Sequence, residues 1–373
     1  MSLQLLEIED RRDLGRWVRF PDRHYRNDPN YVPQLLREEM AYFDQRRNPA
    51  FRVCRTKLFL ALEDSHPVGR IAGIINSLEE QKLGRKRGRF GWFESVDNPT
   101  VANSLLGAVR DWLAAEGCVE MTGPHGFTDL DVEGLLIEGF EATPTISGCY
   151  NPPYYQGMLE NFGFQKDADY LMYRFEVPDR SPFLERIKKR YAGLAEYRVV
   201  TCRSRKELRG HLTELWSVLE EAFEPLYGVV PLTPDQMDYY ADKYFGFLDP
   251  ALVKLVFSHE GEMAGFLIAM PNLSRAFQKA NGRLFPAGFF HILKDYRRPA
   301  AADFLLAGAR AGHPNGLLTA LGLADMFNTL RSRGVRWVES NHELEDNSTV
   351  HQLWRRFPIV NQRRSRVFRL DLA

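Results

Sequence analysis

The residues of this sequence with the plainest chemical capacity lie between Asp303 and Phe357. A turn rich in Gly and Pro, GARAGHPNG, reaches Gly316 and opens a helix. The first amides of a helix have no partner inside it, and its dipole favours an anion, so such a turn can hold a phosphate; an ordinary strand-to-helix turn is the plainer alternative. Glu339 follows on a strand whose alternation sets it on one face with Val335 and Trp337. Burial raises a carboxyl's pKa, and a carboxylate so raised can strip a proton from an amine near neutral pH. Pairing of Glu339 with a neighbouring arginine, such as Arg336 or Arg366, is the competing expectation. Asn347 stands where a helix begins, and its side chain suits a helix cap ahead of any ligand contact.

The elements that must position these residues are legible from periodicity. Asp303 to Ala307 reads as a strand, Leu317, Leu321, Ala324, Phe327 and Leu330 as the apolar face of a helix ending before Gly334, and Val335 to Ser340 as a second strand. Asn347 opens a further helix through Val350, Leu353 and Trp354. Earlier in the chain, strand-length runs at Lys57 to Glu63 and Val68 to Asn76 flank a hairpin signal, and Asn98-Pro99 starts a helix that stops at Gly117. The segment from Gly123 to Tyr155 carries five glycines before Tyr150 without sustained period, and reads as a long functional loop. A connecting helix is expected over 179–196, after which the order of elements begins again. This repetition predicts a tandem duplication, with domains at 1–178 and 197–373, each an α+β layer of mixed, mostly antiparallel sheet covered by helices.

Composition narrows the class. The chain has 373 residues, 44% hydrophobic and 26% charged, with 49 basic and 49 acidic residues. No overall basic field points to nucleic acid or an anionic membrane. The basic runs Leu83 to Arg89 and Asn361 to Arg366 read as solvated loops or edge-strand surfaces. Cys54, Cys118, Cys149 and Cys202 have no metal-ligand spacing and read as reduced, mostly buried thiols. No signal peptide or membrane-length apolar run is present, so a cytoplasmic protein is expected. P-loop, zinc-protease and nucleophile-elbow motifs are absent, the histidines form no ligand cluster, and no metal is expected.

The strings NPPYYQGMLENFGF (Asn151 to Phe164), GRIAGIIN, FGWFES and EGLLIEGF, with ES-x-x-x-LEDN (Glu339 to Asn347), resemble a little-characterised bacterial branch of the GCN5-related N-acetyltransferase (GNAT) superfamily. The resemblance covers nearly the whole chain. It implies two tandem GNAT-like domains, acetyl-CoA or another acyl-CoA as donor substrate, and a small-molecule or peptide amine as acceptor. His313, Pro314, Asn315, Gly316, Leu317 and Leu318 would stand where the superfamily cradles the pyrophosphate, and Asn347 would open the helix that closes the site. Only one of the superfamily's glycines survives there, and the first-half turn, VDNPTVAN, has none, so the first half is expected to be degenerate. The superfamily's acidic tyrosine is replaced by Trp354, which leaves Tyr150, Tyr154 and Tyr155 of the first half as displaced phenols, or as aromatic residues packed over the sheet, with Tyr154 and Tyr155 the nearer candidates and Glu339 as the base. Aminoacyl or longer-acyl transfer, and non-catalytic binding of a small metabolite, are the alternatives.

Overall fold

A computed structural model describes residues 2–191 and 196–372. Among the described residues, fourteen strands form one sheet. The first half supplies β1 (Leu3–Glu7), β2 (Cys54–Glu63), β3 (His66–Asn76), β4 (Arg87–Ser95), β5 (Glu120–Gly123), β6 (Leu135–Glu138) and β7 (Gln165–Glu176). The second supplies β8 (Tyr197–Thr201), β9 (Val253–Ser258), β10 (Met263–Pro271), β11 (Ala301–Ala309), β12 (Trp337–Glu339), β13 (Glu343–Leu344) and β14 (Ile359–Asp371). Spatial order is β1-β2-β3-β4-β5-β14-β7-β12-β11-β10-β9-β8.

The centre of this order is an exchange. β14, the last strand of the chain, lies antiparallel between β5 and β7, while β7 lies antiparallel between β14 and β12. The pattern repeats around the seam: β6 also pairs with β14, and β13 also pairs with β7. Each half thus fills the gap beside its own last strand with the last strand of the other.

Local chemistry explains the layers. β2 and β3 join through Asp64 and Ser65, both at positive φ (47° and 69°), the conformation a two-residue hairpin turn needs. Helix Pro99–Ala115 packs on the first-half sheet through Leu105, Val109 and Leu113, all fully buried. Its approach is close because Gly73 carries no side chain; a Cβ there would meet the Trp112 ring at 2.8 Å. Helix Asn315–Ser332 covers the second half, burying Leu323, Met326, Phe327 and Leu330 against Phe304 and Phe175.

Several sequence expectations are corrected. Asn361 to Arg366 belongs to a central strand, with Arg363 and Ser365 buried, and Arg87 and Arg89 are buried in β4. Periodicity in charge alone misses this because the cost of burial is offset by partners: Arg89 makes two bonds to Glu79, of 2.7 and 2.8 Å, and Arg87 meets Glu120 at 2.7 Å. The segment after Gly123 is not all loop, since Leu135–Glu138 pairs with β14. Helices Ser274–Ala280 and Gly288–Arg297 were not expected. The connecting helix runs over Pro182–Tyr191, and residues 192–195 of the expected 179–196 lie outside the described residues. All four cysteines are free and buried. Among the described residues, no helix is long and apolar enough to cross a membrane.

Candidate functional site

Two adjoining cavities meet beneath the Gly123-to-Tyr150 segment. The larger, about 290 Å³, is bounded by β4 at Trp92 to Glu94, by Pro124 to Gly126, and by second-half residues including Lys243 and Phe277. Its walls carry the acids Glu38, Glu39, Glu94 and Asp131, against Arg70 and Lys243. The smaller, about 120 Å³, is mostly apolar, lined by Leu212, Leu215, Trp216 and Leu219 of helix Leu212–Phe223 and by Leu305 and Leu306 of β11, with Asp129, Asp131, Glu133 and His342 also on its wall. Leu130, Asp131, Ser147, Tyr244 and Leu305 line both, so the two spaces are neighbours with a common wall.

Strand splitting makes this room. β11 and β12 are paired only from Ala301↔Trp337 to Asp303↔Glu339; beyond Asp303 they part, and Leu305 and Leu306 face the smaller cavity. β4 and β5 likewise pair only from Arg87↔Glu120 to Arg89↔Thr122.

At the common wall, the segment between β5 and β6 presents His125, Asp129, Asp131 and Glu133. His125 Nδ1 lies 3.1 Å from Glu133 Oε1, and Tyr170 donates its hydroxyl to Glu133 Oε2 at 3.1 Å. His125 lines the larger cavity, and its Nε2 has no hydrogen-bond partner among the described residues. Burial works against the Glu133 carboxylate, but His125, Arg89 and Tyr170 together hold its pKa below the ordinary value. Such a pairing fixes the imidazole so that Nε2 can take a proton. Asp129 is pushed up to about 7 by burial and by the neighbouring Glu133. Burial also raises Asp131, and it lowers His342, on the wall of the smaller cavity, to about 4, keeping that ring neutral. Gly228 of the second half closes over the pair: its φ of 75° suits glycine, and a Cβ would stand 3.5 Å from His125 Cε1.

The residues singled out from sequence fall in separate places. Glu339 is 2% exposed in β12, accepts two bonds from Arg174 (2.9 and 2.5 Å) and one from Arg363 (3.3 Å), and lines neither cavity. Its partners are Arg174 and Arg363, not Arg336 or Arg366. Tyr155 is fully buried; its oxygen accepts from Ser95 N at 2.8 Å and lies 3.0 Å from the Tyr25 hydroxyl and 3.3 Å from Glu94, which does line the larger cavity. Tyr154 donates to Ser95 O at 2.8 Å, and burial raises it to about 12. His313 is 3.1 Å from the Tyr197 hydroxyl, Asn315 and Gly316 are exposed, Leu317 and Leu318 are buried, and Asn347 caps helix Ser348–Trp354 by accepting from Val350 N at 3.4 Å. β5, β14, β7 and β12 separate β4 from β11 in the sheet. Five strand spacings come to roughly 24 Å, so Tyr154 and Tyr155 stand well apart from the Gly316 turn.

The two helix starts differ in what they can hold. Helix Asn315–Ser332 has no side-chain cap, and a Cβ added at Gly316 meets nothing within 4 Å, leaving open amides with space before them. Helix Pro99–Ala115 is closed by Asn98, whose side chain accepts from Thr100 N at 3.0 Å. The first amides of the second-half helix, at Asn315 and Gly316, are thus left without a side-chain cap where the first-half helix has one. Among the described residues, no group of three or more His, Cys, Asp or Glu could hold a metal ion.

Comparison with known proteins gives this geometry a family. No family model matches the chain. The protein named bacterial ceramide synthase from Caulobacter vibrioides (strain NA1000 / CB15N) is 30% identical over 295 residues, covering 78% of this chain and 76% of that one. The chain belongs to the same family. Protein YghO of Escherichia coli (strain K12) is 26% identical over 284 residues, covering 76% of this chain and 72% of its own. Among solved structures, a tandem GNAT protein from the clavulanic acid biosynthesis pathway superposes over 100% of this chain and 99% of its own, with a TM-score of 0.59 at 13% identity. A GCN5-related N-acetyltransferase from Sphaerobacter thermophilus superposes over 99% of this chain and 96% of its own, with a TM-score of 0.51 at 13% identity. The fold of this family member is thus the α+β tandem GNAT fold expected from the sequence.

Asp303, beside Glu339 at the strand split, carries a pH consequence. It is 1% exposed; Oδ1 accepts from Asn272 at 2.7 Å, and Oδ2 has no partner. Burial, with the nearby Glu339 charge, pushes it up to about 8. Its folded pKa exceeds the unfolded value, so the native state binds the extra proton, and stability falls as pH rises from about 4 to about 8. Thermal melts across that range should show Tm falling in wild type and a flatter profile in Asp303→Asn. An unchanged slope in the variant would assign the pH dependence elsewhere.

Proposed function

We propose that the chain is an N-acyltransferase that moves a long-chain acyl group from an acyl-CoA thioester to an amine. The observation that carries this reading is the pair of adjoining cavities, one mostly apolar and one acidic, meeting beside His125 and Glu133. An alkyl chain suits the leucine-lined space, where each buried methylene contributes about 0.8 kcal/mol. A cationic amine suits the larger cavity, with its excess of carboxyl groups. The open start of helix Asn315–Ser332 would hold the donor's phosphates, at the end of the strand that carries Leu305 and Leu306. From Leu305 to Ala309 that strand spans roughly 13 Å. The kinship with a protein named bacterial ceramide synthase favours a long acyl chain over acetyl.

In this reading His125 Nε2 takes the proton from the ammonium, Glu133 holds the imidazolium that results, and the freed amine attacks the thioester carbonyl. The C–N bond forms and the C–S bond breaks; the second proton of the attacking nitrogen passes to the departing sulfur, and His125 releases the first to solvent. The division into halves 1–178 and 197–373 has a functional sense here: the donor's phosphates belong to the second half, the base to the first.

The direct test is mass spectrometry of products from purified protein given acyl-CoA donors of graded chain length and a long-chain amine. Leu215→Trp, which fills the smaller cavity, should lower turnover of long-chain donors at least about tenfold while sparing acetyl-CoA. An enzyme that used acetyl-CoA best, or made no amide from any donor, would overturn the reading.

A further inference from the structure

The chain is neutral overall, yet the segment from Ser274 to Arg298 holds Arg275, Lys279, Arg283, Lys294, Arg297 and Arg298 against Asp295 alone. All six cations are exposed, and among the described residues none forms an ion pair. The same segment exposes three large apolar side chains, Phe285 (64%), Phe289 (42%) and Phe290 (69%). Phe285 and Phe289 stack with ring centroids 6.2 Å apart, and Phe290 stands 5.8 Å from Phe289, so the three make one aromatic patch.

The inner side of this segment is firmly placed. Phe277 and Ile292 are buried with Leu35, Met270 and Leu273, and Phe277 and Met270 also line the larger cavity. Helix Ser274–Ala280 is therefore part of the cavity wall, and the segment it begins has an aromatic and cationic outer surface.

We infer that this outer surface docks on an anionic lipid bilayer, with the three phenylalanines at the acyl boundary and the six cations among the headgroups. Aromatic side chains fringed by Lys and Arg suit that boundary, and each basic residue near an anionic surface strengthens binding about fivefold. A second copy of the chain is a poor occupant, because a two-fold contact would set the six cations against six identical ones. The inference is independent of the reaction proposed above. It gives that reaction a direct route, since a substrate embedded in the bilayer would meet the wall of the cavity without crossing water.

The test is co-sedimentation of the full chain with vesicles of phosphatidylcholine alone and with added phosphatidylglycerol. Binding is expected to the mixed vesicles and to weaken with salt. The triple change Phe285→Ser, Phe289→Ser, Phe290→Ser should lower partition on the order of tenfold or more, and Lys294→Glu with Arg297→Glu and Arg298→Glu should do the same. Val360→Ser, at another exposed apolar position on β14, should bind as wild type, and all variants should keep the wild-type Tm because the altered side chains are exposed. The inference is overturned if wild type leaves both vesicle types in solution, if the triple phenylalanine variant binds as wild type, or if light scattering shows a dimer that this variant dissolves.

Discussion

His125→Ala is expected to lower turnover about 10²- to 10⁴-fold while leaving donor and acceptor affinity near wild type. The magnitude is that of losing a positioned proton acceptor, and its ground is geometric. Glu133 holds Nδ1, which leaves Nε2 as the nitrogen without a partner among the described residues, on a residue that lines the larger cavity. Glu133→Gln should cost less, since the imidazole stays in place but loses the charge that stabilises its protonated form. The pH profile separates a chemical role from a structural one. Asp129, with a pKa of about 7, is the carboxyl beside this pair that titrates near neutrality. In Asp129→Asn, an inflection of kcat/KM near pH 7 should move or vanish. A His125→Ala enzyme that kept full turnover on the substrates accepted by wild type would remove His125 from the reaction.

The second large effect belongs to Glu339 and concerns stability. Glu339 on β12 is bonded to Arg174 on β7 and Arg363 on β14, so one buried carboxylate ties three strands from both halves. Replacing Glu339 with Ala strands two arginines, one of them 2% exposed, and breaking a buried pair of this kind costs about 3–5 kcal/mol. That is a large fraction of the roughly 5–15 kcal/mol that holds a domain folded, and denaturant melts should register it as a lower midpoint. Arg363 also donates to Cys149 O at 2.6 Å, so the damage should extend into the segment over the cavities. Glu339→Leu combined with Arg363→Leu should recover part of the loss, because neither charge is then left alone. Were Glu339 the base, Glu339→Gln would abolish turnover with an unshifted melting curve.

What the sequence made legible follows the range of each interaction. The helix through Leu317 and Leu330 and the hairpin at Asp64-Ser65 depend on neighbours within a few residues, and periodicity or turn chemistry reveals them. The central place of β14 depends on strands more than a hundred residues away, and its arginines disguised it as surface. The same holds at the site. The segment after Gly123 was recognisable as a long glycine-rich stretch, but its Asp129-x-Asp131-x-Glu133 pattern gains meaning only when Tyr170, Gly228 and Arg89 close around it. Strand alternation put Glu339 on a face with apolar residues and so pointed to partial burial, while the arginines that hold it lie at distances in sequence that no local pattern encodes.

The crossing of β7 and β14 also bears on how such a chain is made. A protein of two like halves would ordinarily let the first fold while the second is still emerging from the ribosome. Here β5 and β7 flank a slot that Ile359 to Asp371 fills, and that strand is synthesised after every other described one. Until then the facing edges of β5 and β7 have no partner strand between them, and unpaired strand edges invite stray pairing. The exchange thus ties completion of the earliest part of the chain to delivery of the latest, and the two halves reach their native form together.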